Sequence, residues 1–280
     1  MQKTILLFVL VTIFCSCKQQ NNDVLEVKRT ISRKQPKSVS FHFENTKQWL
    51  KKNPSKEQLQ IVLAVNRTDK ANLAKMDSII IPGDFTGDLV FYLPFPLEVP
   101  SLIPVDKIIF FSYPTQTFAA YEKGELIYAG PTNMGRKKDP TPTGLFHTNW
   151  KAEKTTSTFN DEWDLRWNFN IANKLGVGWH QYELPGYPAS HSCLRLQEED
   201  AKYLYTWADQ WILKDNQNIL VKGTPVIVFG KYDFDAPKPW LQLIGNPKAL
   251  NISSNEIENI TQPYLNDILS EQKKREKQSQ

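Results

Sequence analysis

In "WDLRWNFNI", Trp163, Leu165, Trp167, Phe169 and Ile171 alternate with polar residues. A period of two is the mark of a strand with one buried face, and such a strand needs a sheet to cover that face. The surrounding sequence has the same texture. "KIIFFSYPTQTFAAYEKGELIYAG" gives β-rich runs broken by Pro114 and by a Lys123-Gly124 turn, as in a hairpin. "TPTGLFHTNW" adds turn residues at Pro142 and Gly144 before another apolar run, and "GTPVIVFG" (223–230) reads as a compact closing strand. One helix interrupts this pattern. In "QEEDAKYLYTWADQWI", Ala201, Leu204, Tyr205, Ala208, Trp211 and Ile212 follow helical spacing, and Glu198, Glu199 and Asp200 suit the positive first turn. The fold class is therefore mainly β with α (α+β), with one main helix in the β-rich part.

The N-terminus, "MQKTILLFVLVTIFCSCKQQ", has a basic start at Lys3 and an unbroken apolar run from Ile5 to Phe14. That run is too short to span a bilayer and has the length of a signal-peptide core. Ser16 then precedes Cys17, which resembles a bacterial lipoprotein signal (1–17) in which the thiol of Cys17 is lipidated. The alternatives are a plain secretory peptide or a buried helix. Residues 18–40 are polar without periodicity and read as a flexible tether, able to reach roughly 70 Å when extended. These features place the chain in a bacterial cell envelope, facing the periplasm; Lys18 after the anchor cysteine leans toward the outer membrane. Removal of Cys15 and acylation of Cys17 would leave Cys193 as the one free thiol, with no intrachain disulfide possible. The 34 basic and 30 acidic residues, net +4, are too balanced to suggest nucleic acid.

Residues 41–105 form a small α/β module. From Gln58 to Phe85 the sequence reads as a short helix, an Asn-Arg-Thr-Asp turn, a second helix and a strand ending at Pro82-Gly83. This resembles a LysM carbohydrate-binding module, which would imply glycan binding; a packing subdomain is the plainer alternative. Residues 106–231 carry the β-rich domain, and 232–280 are a C-terminal extension whose tail, "EQKKREKQSQ", reads as solvated and disordered.

The chemistry concentrates in "GWHQYELPGYPASHSCLRL" (178–196). A cysteine nucleophile needs a base to take its proton and donors for the developing oxyanion. No histidine follows Cys193, so the base is His42, His147, His180 or His191. His42 sits at the edge of the tether, and His191 would have to bend back over two residues. His180 is separated from the thiol by a loop with Pro185, Gly186 and Pro188 that can fold back, which makes it the best base. Zinc accepts a mixed set such as His180, His191, Cys193 and His147, but the paired spacings of zinc motifs are missing, so neither metal nor cofactor is expected. An inert buried cysteine beside solvated histidines is the remaining alternative.

"LPGYPASHSCLRL" resembles the signature of L,D-transpeptidases with a YkuD-type catalytic domain, Ser-His-Gly-Cys followed by an apolar residue and Arg, with a histidine upstream. "PTNMGRKKDPTPTGLF" (131–146) matches the glycine and Thr-Pro-Thr-Gly stretch that precedes it in that family. The resemblance covers about residues 106–231. It implies a β-sandwich catalytic domain acting on peptidoglycan stem peptides through a thioester, with Cys193 as nucleophile and His180 as base. It further implies that the main chain of Gln181 orients the imidazole, that the amides of Ser192 and Cys193 face the oxyanion, that Ser190 and His191 shape the loop, and that Arg195 holds the motif or meets a substrate carboxylate. An ion pair of Arg195 with a helix carboxylate is the structural alternative. Two departures stand out. Ser192 replaces the usual Gly, at a cost of about 1 kcal/mol if the position needs positive φ. Only nine residues lie between His180 and Ser190, a short loop. Cross-linking, trimming of stems, linkage of a protein to them, and a catalytically inactive peptidoglycan binder all remain open at this point.

Overall fold

The computed structural model of the chain describes residues 31–156 and 164–278. The apolar run at the N-terminus, Cys17 and Trp163 lie outside the described residues. Among the described residues no helix is long and apolar enough to cross a membrane.

The N-terminal module runs β1 (Phe41–Asn45), α1 (Thr46–Lys51), α2 (Lys56–Val65), α3 (Lys70–Leu73) and β2 (Ser78–Pro82), with β1 and β2 antiparallel. The helix, turn, short helix and strand read between residues 58 and 85 occur in that order. Ser55 and Gln58 close a capping box that starts α2, and Asp69 caps α3. The side chain of Asn66 accepts from Ile80 N at 2.9 Å and donates to Ile80 O and Val62 O, both at 2.8 Å, which fixes the turn between the helices.

The β-rich segment contains β3 (Lys107–Ser112), β4 (Thr117–Glu122), β5 (Glu125–Pro131), β6 (Gly144–His147), β7 (Lys151–Thr156), β8 (Asp164–Ala172), β9 (Val177–Gln181), β10 (Leu194–Leu196), α4 (Glu198–Trp207), β11 (Ile212–Leu213), β12 (Ile219–Val221) and β13 (Pro225–Phe229). Two larger sheets result, ordered β5-β4-β3-β13-β6 and β10-β9-β8-β7. They face one another across a core built from Ile109, Phe111, Phe118, Val226 and Val228 on one side and Phe169, Ile171, Trp179, Leu194 and Leu196 on the other, with Leu204 of α4 joining them. The near-continuous apolar run of β3 has a simple cause: its other face, Ile108 and Phe110, is buried as well. That second face packs on residues 89–105, on Ile252, and on the C-terminal helices α5 (Ser254–Thr261) and α6 (Leu265–Gln278) through Ile257 and Ile268. The β4–β5 turn takes positive φ at both Lys123 (48°) and Gly124 (80°), the twist that suits a tight hairpin.

The structure departs from the sequence reading in four places. The helix expected to run through Ile212 stops at Trp207, where Ala208 turns extended; Asp209 and Thr224 then exchange hydrogen bonds that divert the chain toward β11 (Asp209 N to Thr224 Oγ1, 2.9 Å; Thr224 N to Asp209 O, 3.1 Å). The alternation in β8 breaks at Trp167, which has φ 53° in an irregularity between Arg166 and Phe169. The tail expected to be disordered is helical to Gln278, because α6 is fastened to the domain: Arg275 donates to Gln210 O (2.6 Å) and Lys222 O (2.9 Å), and Gln272 accepts from Asp106 N (2.9 Å). The last part of the expected tether is bound too. The backbone amides of Lys34 and Lys37 donate to Asp88 (2.8 Å) and Asp84 (2.6 Å).

Candidate active site

Strands β9 and β10 run parallel, with Trp179 opposite Leu194 and His180 opposite Arg195. Because side chains alternate along a strand, Trp179, Leu194 and Leu196 enter the core while Gly178, His180 and Arg195 share the other face. Cys193, one residue before Leu194, continues that face beside Gly178. His180 and Cys193 are thus diagonal neighbours on one side of a two-strand ribbon. This answers how a loop with two prolines brings Cys193 back to the face of His180: β10 pairs with β9, the strand that carries His180. Gly178 has a steric role here, since a Cβ on it would come within 2.4 Å of Phe169 O.

His180 is buried, and its Nδ1 lies 3.0 Å from the carbonyl of Gln181. A carbonyl can only accept, so Nδ1 carries the proton and Nε2 carries the lone pair, the tautomer a general base requires. Burial pushes the imidazole down to about 4; the Gln181 carbonyl opposes this and the Arg195 charge adds to it. Burial also pushes the Cys193 thiol up, against the opposing effects of the Gly178 amide and Arg195.

The loop before the cysteine is closely held. Ser190 donates to Cys193 O at 2.6 Å, and the amides of Ala189 and Ser190 both donate to Met134 O at 3.1 Å. Asn133 and Arg195 exchange two backbone hydrogen bonds of 2.9 Å. Ser192 has φ 78°, in the region glycine prefers. Its carbonyl accepts from Thr141 Oγ1 at 2.9 Å, and Thr141 Oγ1 in turn accepts from Gly135 N at 2.8 Å. The Thr-Pro-Thr-Gly stretch therefore touches the cysteine loop directly, through its first threonine. His191 is partly buried, its imidazole pushed down by burial and by Arg136. Arg195 is largely buried, its guanidinium 4.4 Å over the ring of Tyr182, which also packs edge-on against His180. No Arg195–carboxylate ion pair occurs among the described residues.

His42 and His147 lie elsewhere. His42 is an exposed residue of β1 near Glu44. His147 sits on β6 in the other sheet, pushed down to about 4 by burial and Lys222. The mixed metal set that includes His147 is thus not assembled, and among the described residues no cluster of three or more His, Cys, Asp or Glu is placed to hold a metal. Sequence reasoning missed Tyr182, Asn133 and Gly178, which carry no motif of their own. Thr141 lay within a quoted motif, yet its contact with Ser192 is a tertiary fact.

Residues 106–228 match the family model of the L,D-transpeptidase catalytic domain, YkuD. That segment has the mixed α+β fold expected from the sequence. Solved structures similar to the chain include an L,D-transpeptidase from Stackebrandtia nassauensis (25% identity, TM-score 0.37, covering 45% of this chain and 56% of that one). Others are L,D-transpeptidases from Mycobacterium smegmatis (20%, 0.35, 45% and 59%) and Enterococcus faecium (24%, 0.36, 44% and 50%). The chain spans little more than half the length of these relatives. No curated protein matches it.

Proposed function

We propose that the chain is a cysteine-dependent L,D-transpeptidase that acts on peptidoglycan stem peptides. The observation that carries this reading is the placement of Cys193 and His180 on one face of the β9–β10 ribbon, with Nε2 of His180 left as a base. Sγ of Cys193 attacks the carbonyl at the L-centre of a diaminopimelate-type residue while His180 takes the thiol proton. The amides of Ser192 and Cys193 receive the oxyanion. The peptide bond breaks, the terminal D-amino acid leaves with the proton returned by His180, and a thioester remains. An amine of a neighbouring stem or water then releases it, giving a cross-link or a trimmed stem; a protein amine would give protein linkage by the same chemistry. Arg195, desolvated and stacked on Tyr182, suits a substrate carboxylate. Lipidation at Cys17 would hold the domain at the membrane, in the outer membrane on our reading, facing the periplasm.

The test is mass spectrometry of tetrapeptide-stem muropeptides incubated with the full-length protein in detergent. Cross-linked dimers or shortened stems are expected, abolished by Cys193→Ala and reduced by roughly 100-fold or more in His180→Ala. A second reading, an inactive peptidoglycan binder, is favoured by the raised thiol and the strained Ser192. Unchanged muropeptides with no acyl-enzyme mass on Cys193 would decide for it.

A further inference from the structure

The turn between α2 and α3 of the N-terminal module reaches across to the loop that joins His180 to Cys193. Asp69 and Thr68 hold both backbone groups of one buried residue there, Leu184. Leu184 N donates to Asp69 Oδ2 at 2.7 Å, and Leu184 O accepts from Thr68 Oγ1 at 2.9 Å and from Asp69 N at 3.1 Å. Thr68 and Pro185 also form an isolated antiparallel bridge. The same turn is touched from beyond β10, where Gln197 Nε2 donates to Thr68 O at 3.4 Å. The segment is therefore gripped just after β9 and just after β10, the two strands that carry the base and the thiol. At Gly186 (φ 80°) the loop lies so near the module that an added Cβ would come within 2.7 Å of Met76 Cε. The turn itself does not yield, because Asn66 ties it to β2 and α2.

We propose that the N-terminal module is part of the active-site frame, with Asp69 as a positioning residue that sets the path of the 182–192 loop and hence the placement of Cys193 against His180. The short loop has too few residues to form a scaffold of its own, and the module supplies one. As a statement about turnover, this rests on the stem-peptide reading above; as a statement about the thiol, it does not.

Asp69 also caps α3, with Oδ1 accepting from Asn72 N at 2.8 Å. An asparagine has one acceptor oxygen where the carboxylate has two, so Asp69→Asn gives up either the cap or the Leu184 bond. Thr68→Val removes the hydroxyl bond to Leu184 at nearly constant volume. Ser55→Ala, which breaks the α2 capping box and touches nothing near the loop, is the matched control for a weakened module. Three readouts apply to the full-length protein: thermal stability, kcat and KM on tetrapeptide stems, and the rate of Cys193 alkylation by iodoacetamide. Asp69→Asn and Thr68→Val should lower kcat on the order of tenfold with KM nearly unchanged, and should speed alkylation severalfold as the loop loosens. Ser55→Ala should lower thermal stability and leave both rates as in the wild type. Wild-type rates in Asp69→Asn, or equal rate changes in Ser55→Ala, would overturn the proposal. If the wild type turns over no stem peptide but Asp69→Asn and Thr68→Val, and not Ser55→Ala, are alkylated faster, the stem-peptide reading fails and the positioning role stands.

Discussion

Ser192 and Asp200 show two ways in which single residues of this domain give up stability. Ser192 holds φ 78° beside the thiol, a conformation that costs an L-residue about 1 kcal/mol and is kept in place by Thr141 and Ser190 on either side. Asp200 is fully buried in the first turn of α4. Burial pushes its carboxyl up to about 7, although the Tyr128 hydroxyl, donating at 2.8 Å, favours the ionised form. An unfolded aspartate ionises near 3.9, so between about pH 4 and 7 the folded state binds more protons at this position. Stability from Asp200 is present below that window and is lost as pH rises through it. Burial of His180 and His147, both pushed down to about 4, acts in the opposite sense between about pH 4 and 6.5, where falling pH favours the unfolded chain. Asp200→Asn keeps an acceptor for Tyr128 and removes the buried charge. It should stabilise the protein at pH 8 by roughly 2 kcal/mol and hardly at all at pH 4; urea titrations at the two pH values would show it.

At the level of elements, the strands of the two large sheets were legible because their cause is local. Apolar runs, period-two alternation and the Lys123-Gly124 turn announce β3, β4, β5 and β13. His180 was legible as the partner of Cys193 because the Pro185-Gly186-Pro188 loop can fold back, and the pairing of β9 with β10 puts the two on one face; Ser192 was legible only through the family resemblance, and it does take positive φ. The parts not legible were those fixed by distant partners. The end of α4 is set by Thr224, the irregularity in β8 by its pairing with β9, and the helix α6 by carbonyls far away in sequence. "EQKKREKQSQ" is polar on every side and has no packing signal, so its order comes from Arg275 and Gln272 reaching the domain. Arg275→Ala should therefore lower stability by about 1 kcal/mol, read as a lower urea midpoint, while leaving the far-UV signal of the sheets in place.

Across the whole molecule the join is made by Arg67, a fully buried arginine with φ 57°. It donates to Thr115 O at 2.6 Å and Val65 O at 3.0 Å, and lies 5.7 Å over the ring of Trp240 in the C-terminal extension. Burial pushes its guanidinium down to about 9. Module, sheet and extension meet at this one side chain, with carbonyl oxygens as its hydrogen-bond acceptors. Arg67→Ala leaves those carbonyls buried and unbonded, and should cost about 3 kcal/mol or more, measured as the change in urea midpoint under a single transition. A related consequence follows from strand order. β13 lies between β3 and β6, parallel to one and antiparallel to the other, so the edge strand β6 has nothing joining it to β3 until Pro225–Phe229 is present. A ribosome that has already made His180, Cys193 and α4 has made β3 and β4 but not β13, which brings Val226 and Val228 to the facing side of the core. That face of the core therefore closes only once the chain has grown past Phe229, after the whole Cys193 stretch has been synthesised.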